Sequence, residues 1–223
     1  MHRVFFSGGD IETVAFILEG DFTRRVVRDF VGCHPTPAHI ESFCKSVITA
    51  DELIRGVAYY DCPPFEETRP LPVSGAPYSF KTHPTYWKAF RFQEALLKNN
   101  FFSYRLGKLS FNGWRLRGKA LREFAAGPRR LNDDDFEPIL IQKQVHMMIG
   151  LDIAKLSNTK FVQRLILVTS DSDLIPAIRV ARASGTKVTI ITGKRKIVKK
   201  KLIRSCDEHR DVPPYRGVIT LET

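Results

Sequence analysis

The chain has few cysteines and no long apolar run, and each shortage excludes a class of protein. Cys33, Cys44, Cys62 and Cys206 are the four cysteines among 223 residues, and their spacing is not that of a zinc site, so we expect reduced thiols. No apolar stretch approaches the roughly 20 residues of a membrane-spanning helix. The first residues, MHRVFFSGGDIE, lack the apolar segment of a signal peptide. These absences predict a cytoplasmic protein without a membrane partner.

Positive charge, by contrast, is plentiful. The sequence has 35 Lys and Arg against 24 Asp and Glu, a net charge of +11. An excess of this size favours a polyanionic partner, most often nucleic acid, although a merely basic surface is the alternative. Hydrophobic residues make up 43% of the chain, which is enough for a packed core. We expect a single domain over residues 1–223, with insertions at about 61–85 and 117–140.

Predicted strands and helices alternate along much of the sequence. Strands are predicted at 14–18, 57–60, 164–169, 187–192 and 217–222, and residues 101–111 are predicted to pair with the stretch around Trp114. Helices are predicted at about 22–31, 38–48, 85–99, 145–156 and 174–184, followed by a basic helix that ends near Cys206. This order predicts an α/β fold of the Rossmann-like, three-layer type, with a mostly parallel central sheet flanked by helices.

Two predicted strands are followed at once by a pair of acidic residues. Glu19 and Asp21 follow the first strand, and Asp171 and Asp173 follow strand 164–169. Ligands of such sheets bind at the carboxyl ends of the strands. Converging carboxylates bind Mg²⁺ or Mn²⁺, with water and phosphate completing the shell. The alternative is that Asp173 is a helix N-cap or an acid in the first turn of a helix, and that Asp21 is likewise an acid at the start of its helix. Asp171 is not needed as a cap if Asp173 is one.

The D-x-D pattern alone does not identify one chemistry, because sugar-nucleotide transferases, haloacid-dehalogenase-type phosphatases and toprim nucleases also use it. Those phosphatases have their acidic pair on the first strand and a second acidic pair downstream, which this chain lacks after Asp173. A transferase would need a nucleotide-binding half that the sequence does not show. A phosphatase or phosphodiesterase acting on small nucleotides stays open.

Four segments in a fixed order resemble a known family. They are VAFILEGD at 14–21, RLGKL at 105–109, QKQVHMMIGLDIAKLS at 142–157 and ILVTSDSDLIPAIRVARASGTKV at 166–188. The chain is similar over about residues 12–210 to the NYN domain family, the LabA-like relatives of PIN nucleases. The resemblance implies a PIN-like fold and a nuclease that uses Mg²⁺ or Mn²⁺ to cleave RNA, with single-stranded RNA favoured.

The resemblance also implies roles for individual residues. Asp171, Asp173 and Asp152 match acidic positions of the family, and Glu19 stands where the family has aspartate. His146 stands at another aspartate position; histidine can bind Mn²⁺ or act as a general base but does not replace a carboxylate for Mg²⁺. The implied catalytic residues are Asp171, Asp173, Asp152, Glu19 and His146, and the implied metal ligands are Asp171, Asp173, Glu19 and Asp21. Glu19 and His146 equally favour an alternative, a catalytically attenuated RNA-binding or regulatory module.

Two groups of basic residues are predicted to contact the RNA backbone. The first follows strand 187–192 and comprises Lys194, Arg195, Lys196, Lys199, Lys200 and Arg204. The second is Arg115 and Arg117 beside Trp114, whose ring either stacks on unpaired bases or belongs to the core. Lys143 is a candidate for positioning the phosphate. The sequence leaves open which RNA is bound and whether the chain forms a homodimer.

Overall fold

A computed structural model describes residues 11–193, 198–212 and 214 of the chain. Within these ranges the strands are β1 (Glu12–Glu19), β2 (Glu52–Asp61), β3 (Thr68–Pro70), β4 (Pro77–Ser79), β5 (Ser103–Leu106), β6 (Lys108–Leu116), β7 (Phe136–Lys143), β8 (Arg164–Val168), β9 (Lys187–Thr192) and β10 (Glu208–Asp211). The α-helices are α1 (Gly20–Val31), α2 (Pro37–Val47), α3 (Pro84–Leu97), α4 (Gly118–Ala126), α5 (Val145–Asn158), α6 (Ile175–Ala183) and α7 (Lys200–Ile203). Short 3₁₀ turns cover Phe80–Thr82, Asp133–Asp135 and Ser172–Leu174.

The chain divides into two compact units, each described here by itself. Unit 1 consists of the described residues of Met1–Asp61, Leu96–Arg105 and His146–Thr223. Unit 2 consists of Cys62–Ala95 and Leu106–Val145. Apart from Asp61, the two segments predicted as insertions, 61–85 and 117–140, fall within unit 2.

Unit 1 is built on a six-stranded sheet, which confirms the predicted α/β fold. The strand order is β10-β9-β8-β1-β2-β5, and the four pairings from β10 through β2 are parallel. Val14–Leu18 of β1 and Leu165–Val168 of β8 are buried. A strand that is apolar at successive positions is covered on both faces, which is why these runs predicted inner parallel strands.

Helices lie on both faces of this sheet. Tyr59 and Tyr60 are consecutive in β2, so their side chains point to opposite faces. The hydroxyl of Tyr59 is bonded to Arg24 of α1, whereas the hydroxyl of Tyr60 is bonded to Asp152 of α5. The flanking helices α1 and α5 therefore cover opposite sides.

Charged residues at the amino ends of the strands form an ion-pair network. The Arg164 side chain at the start of β8 is 11% exposed and contacts Glu12 at 2.9 Å, Glu52 at 3.2 Å and Glu208 at 2.6 Å. Arg210 also pairs with Glu52, at 2.7 Å. Because parallel strands start at one edge, these contacts connect β1, β2, β8 and β10 there.

Unit 2 contains two antiparallel pairs, β3 with β4 and β6 with β7. The predicted pairing of residues 101–111 with the stretch around Trp114 is wrong. β5 joins the large sheet, while Trp114 lies in β6 and pairs with Pro138 of β7. Gly113 has φ 88° and lies where the register shifts between Phe111 and Trp114, so this glycine forms a bulge within one strand rather than a hairpin turn.

The predicted helices agree with the structure better than the predicted strands do. The helices predicted near 22–31, 38–48, 85–99, 145–156 and 174–184 are confirmed as α1, α2, α3, α5 and α6. Strands β3, β4, β7 and β10 were not predicted, and the predicted strand 217–222 lies outside the described residues. No helix in the described part of the chain is both long and apolar enough to span a membrane.

Candidate active site

Glu19 ends β1 at the carboxyl edge of the sheet, beside β8. Leu18 pairs with Val168, so the chain that leaves β8 passes next to Glu19. Thr169 donates its hydroxyl hydrogen to Glu19 Oε2, and the backbone N–H of Ser170 donates to the same carboxylate. The Glu19 side chain is 10% exposed. These donors replace water that the buried carboxylate has lost.

His146 links Glu19 to Asp171. Its Nδ1 lies 2.9 Å from Asp171 Oδ2, and its Nε2 lies 3.5 Å from Glu19 Oε1. His146 lies in the first turn of α5, and Gln144, just before this helix, has φ 74°, which is uncommon for a residue other than glycine. The structure therefore brings three of the predicted site residues together. We call Glu19, His146 and Asp171 the edge cluster.

The members of the edge cluster stabilise each other's charged forms. The hydrogen bond to Glu19 raises the pKa of His146 above its ordinary value, and although burial opposes this, the charges of Asp171, Glu19 and Asp173 add to it. Burial acts to raise the pKa of Glu19, but the hydrogen bonds from His146 and Thr169 outweigh it, so this pKa lies below its ordinary value. Near neutral pH, Glu19 is therefore a carboxylate that favours a protonated imidazole beside it.

Asp171 has a second role that the sequence analysis assigned differently. Its Oδ1 accepts a hydrogen bond of 2.9 Å from the Asp173 backbone N–H, so Asp171 is the cap of the 3₁₀ turn Ser172–Leu174. The alternative that Asp173 is the N-cap is wrong, whereas the alternative that Asp173 is an acid in the first turn is confirmed. Asp173 is exposed and contributes to the cluster through its charge on His146.

Asp152 is held by other partners than the edge cluster. Its Oδ2 accepts a 2.6 Å hydrogen bond from the Tyr60 hydroxyl and lies 3.6 Å from Arg105 Nε. Tyr60 pairs with Glu19 in the register of β1 and β2, so both side chains leave the same face of the sheet. Asp152 is thus on the side of the sheet that carries Glu19, although it is bonded to Tyr60 and Arg105.

Asp21 is exposed and forms an ion pair of 2.8 Å with Arg25, one turn further along α1.

Asp61, which the sequence analysis did not single out, is a buried carboxylate that pairs with Arg24. A Cβ at Gly20 would lie 2.8 Å from Asp61 Cγ and 2.9 Å from the Tyr60 carbonyl oxygen. Glycine at this position therefore lets the end of β1 approach the end of β2 closely.

The edge cluster offers a limited set of metal ligands. Across the described ranges, no three or more His, Cys, Asp and Glu side chains are grouped so as to hold a metal ion. Glu19 and Asp171 flank one imidazole, however, and Mg²⁺ is often bound through one or two carboxylates with water and substrate phosphate. The donor set therefore fits a metal bound through these two carboxylates and does not fit a cage of protein ligands. Metal binding by Asp21 and Asp173 stays a prediction.

The predicted RNA-binding residues are scattered over both units. Lys199, Lys200 and Arg204 are exposed around α7, which has only four residues, while Lys194, Arg195 and Lys196 lie outside the described residues. In unit 2, Arg115 forms a 2.7 Å ion pair with Glu137, Arg117 donates from Nε to the Phe136 carbonyl oxygen at 3.0 Å, and Lys143 is exposed.

Sequence reasoning missed the supporting residues Thr169, Tyr60 and Arg105. Thr169 directly follows a predicted strand that ends beside Glu19, so its place at the sheet edge was a usable signal. Tyr60 belongs to an apolar run and gives no sign that its hydroxyl bonds to Asp152, 92 residues away. Arg105 lies in one of the family-like segments, but its pairing with Asp152 depends on the fold.

Comparison with known proteins identifies the family of the chain. No curated protein matches the chain. A solved structure of a protein of unknown function from Vibrio parahaemolyticus is similar, with 14% identity and a TM-score of 0.47 over 93% of this chain and 97% of that chain. The family model of the NYN domain matches residues 97–213, just over half of the chain, including His146, Asp152 and Asp171. The chain therefore belongs to the NYN domain family, within the PIN-like nuclease superfamily.

Proposed function

We propose that this chain is a metal-dependent ribonuclease that hydrolyses phosphodiester bonds of single-stranded RNA at the edge cluster. Its family consists of PIN-like nucleases, which generally act on RNA. The observation that carries the proposal is the imidazole of His146, held between the carboxylates of Glu19 and Asp171 at the carboxyl edge of the sheet. This is the edge at which parallel α/β sheets bind their ligands.

Each member of the cluster has a separate role in this hydrolysis. Asp171 Oδ2 lies 2.9 Å from His146 Nδ1, so Asp171 holds the Nδ1 proton, and the ring becomes a proton acceptor once Nε2 has released the proton that it shares with Glu19. Nε2 takes a proton from the water that attacks phosphorus, as a general base does. A new bond forms between water oxygen and phosphorus, and the bond from phosphorus to the 3′ oxygen breaks. The leaving 3′ oxygen takes a proton from solvent water, so a 5′-phosphate and a 3′-hydroxyl result.

Glu19 and Asp171 are the residues that would hold Mg²⁺ or Mn²⁺. The metal would neutralise phosphate charge and lower the pKa of a bound water. Thr169 and Ser170 fix the Glu19 carboxylate, and the Asp173 backbone N–H fixes that of Asp171. Substrate would therefore meet carboxylates that are already oriented.

A second function is favoured by the same imidazole. Both nitrogens of His146 face carboxylates, so a protonated ring supplies positive charge between Glu19 and Asp171 without a metal. A chain that stays in this form would bind RNA without cutting it. The family has aspartate at this position by the resemblance described above, so replacing the histidine tests which function holds.

The first test is cleavage of a labelled single-stranded RNA with Mg²⁺, Mn²⁺ or EDTA. We expect the wild type to cut only with a metal and Asp171→Asn to lose about 100-fold or more of the rate, because it removes both a metal ligand and the partner of the general base. Asp29→Asn, the same exchange at an exposed residue of α1, should leave the rate unchanged. Equal losses in the two variants would contradict the assignment of the site.

His146→Asp separates the two functions. If His146 is the general base, this variant should cleave more slowly than the wild type. If the wild type binds the RNA but cuts it with neither metal, and His146→Asp gains cleavage, the chain is an attenuated RNA-binding module and the proposed hydrolysis by the wild type is wrong.

A further inference from the structure

Unit 2 contains a cavity of about 660 Å³ that no part of the proposed hydrolysis uses. It lies between the β6–β7 pair, the β3–β4 hairpin and the start of α3, and six of its lining residues are Phe, Tyr or Trp. Tyr78, Tyr86, Trp114 and Phe136 are partly exposed there, above the buried rings of Phe65 and Phe80. Cavities of about 300–1,000 Å³ are typical of sites for small organic ligands.

The aromatic walls are fixed in place before any ligand binds. Trp114 stacks on Phe80, with ring centroids 6.0 Å apart and an interplanar angle of 21°. Its indole N–H donates a 2.9 Å hydrogen bond to the Pro70 carbonyl oxygen, so the ring cannot turn freely. The ring centroid of Tyr78 lies 5.2 Å from that of Phe80 and 6.0 Å from that of Trp114. A rigid aromatic surface stacks a flat ligand with little loss of side-chain entropy.

The polar groups around the cavity include three carboxylates: Glu137 is paired with Arg115, Asp133 accepts hydrogen bonds from two backbone N–H groups, and Asp134 is exposed. Arg115 is neutralised by Glu137, but within the described part of the chain Arg117 makes no ion pair, and its Nε donates to the Phe136 carbonyl oxygen. This hydrogen bond holds the guanidinium at the cavity wall with its remaining N–H groups available for a phosphate. His83 Nδ1 accepts from the Thr85 backbone N–H, so the neutral ring carries its proton on Nε2 and can donate to a base edge.

We propose that this cavity binds one unpaired nucleobase, stacked beside Trp114, with the attached phosphate on Arg117. An apolar peptide would not use the charge of Arg117, whereas a nucleotide combines a flat aromatic ring with an anion. The net charge of +11 favours the same class of ligand. The source of the nucleotide, an RNA strand or a free mononucleotide, is left to the experiment; only the choice of an RNA strand rests on the proposed function.

The test uses the full chain carrying Trp87→Phe, which leaves Trp114 as the single tryptophan, in EDTA so that no metal-dependent cleavage occurs. Titration with adenosine 5′-monophosphate should quench the tryptophan fluorescence to saturation. Ribose 5-phosphate, which lacks the base, should bind roughly 5- to 100-fold more weakly. Titration of the unmodified chain by calorimetry, with the mononucleotide, an unpaired oligoribonucleotide and the same sequence as a duplex, distinguishes the two sources.

The matched pair of variants is Arg117→Gln and Arg91→Gln. Both remove one exposed arginine charge from unit 2, but Arg91 on α3 does not line the cavity. Arg117→Gln should weaken mononucleotide binding about tenfold, and Arg91→Gln should not change it. Thermal unfolding of both variants checks that the fold is kept.

Three results would overturn the proposal: no saturable quenching, equal binding of ribose 5-phosphate, or equal losses in the two variants. Failure of the ribonuclease proposal is a separate result. Mononucleotide binding with no cleavage would contradict the ribonuclease proposal and support the nucleotide-binding role of the cavity. Cleavage without mononucleotide binding would support the ribonuclease proposal and contradict the nucleotide-binding role of the cavity.

Discussion

Glu19 is a carboxylate at the end of an apolar, buried strand, and the side chains around it determine its chemistry. Its charge is stabilised by Thr169 and by His146, both of which come from distant parts of the sequence. His146 is also the side chain with the acid–base chemistry that hydrolysis needs near neutral pH. The same contact therefore affects the stability of the fold and the activity of the site.

The stability that His146 contributes should depend on pH. A pKa raised by folding adds stability that is complete below the ordinary value of about 6.5 and is lost as the pH rises through the raised value. The lowered pKa of Glu19 adds stability above its ordinary value of about 4.5, which is lost as the pH falls through the lowered value. The two contributions coincide between about pH 4.5 and pH 6.5.

The measurement is the free energy of unfolding in urea for the wild type and His146→Gln from pH 5 to pH 9. We expect the variant to be less stable by the largest margin below about pH 6.5, with the margin shrinking as the imidazole loses its proton. His34→Gln removes an exposed imidazole outside the edge cluster and serves as the control. A margin for His146→Gln that grows above pH 8 would contradict the assignment.

Three residues of the edge cluster could be predicted, because each follows a recognisable strand or occupies a position of a family motif. Their exact partners could not be predicted. Asp171 was expected as a metal ligand, but the sequence does not show that one of its oxygens caps a turn while the other faces His146. Asp152 was expected in the cluster, yet the Tyr60 hydroxyl and Arg105 hold it. Such contacts depend on side-chain reach across the sheet.

At the scale of the elements, the strands that could be predicted from the sequence are those whose residues are buried in the structure. Strands β1 and β8 contain continuous apolar runs and β9 is buried from Val188 to Thr192, because both of their faces are covered. Strand β10 has the sequence EHRD, with no apolar residue, and it was missed. It is a strand because it pairs with β9 and because Glu208 and Arg210 join the ion-pair network. Pairing of this kind leaves no hydrophobic pattern in the sequence.

That network should be essential for the edge of the sheet that it occupies. Arg164→Met removes the arginine that contacts Glu12, Glu52 and Glu208, and leaves the nearly buried Glu52 carboxylate with fewer partners. We expect a loss of about 3–5 kcal/mol in the free energy of unfolding, measured by urea denaturation. Arg182→Met breaks the more exposed pair with Asp207 and should cost about 0–1 kcal/mol. Losses of the same size would show that the network is not a buried one in solution.

At the scale of the whole molecule, the dominant property is the charge of +11. A protein that binds a polyanion releases counterions, so the affinity for RNA should fall steeply as salt is added. For single strands, each neutralised phosphate contributes about 0.7 to the slope of log affinity against log salt. The slope of log affinity against log salt concentration therefore indicates how many basic side chains contact phosphates of the RNA backbone.

We expect the double variant Lys200→Gln, Arg204→Gln to lower that slope by about 1.4 in a fluorescence-anisotropy titration, if both residues contact phosphates. The double variant Lys88→Gln, Arg91→Gln removes two exposed charges from α3 and serves as the control, with a slope close to that of the wild type. If both double variants lower the slope equally, the basic excess acts as a general field and not through contacts at α7.

The position of β1 between β8 and β2 has a consequence for synthesis on the ribosome. Glu19 is made before His146 and Thr169, which are added only after more than a hundred further residues. A nascent chain that stops before β8 carries the carboxylate without its partners, and β1 without a neighbour on one side. The candidate active site therefore assembles only after β8 has been made, so a translation product that stops earlier would lack the proposed activity.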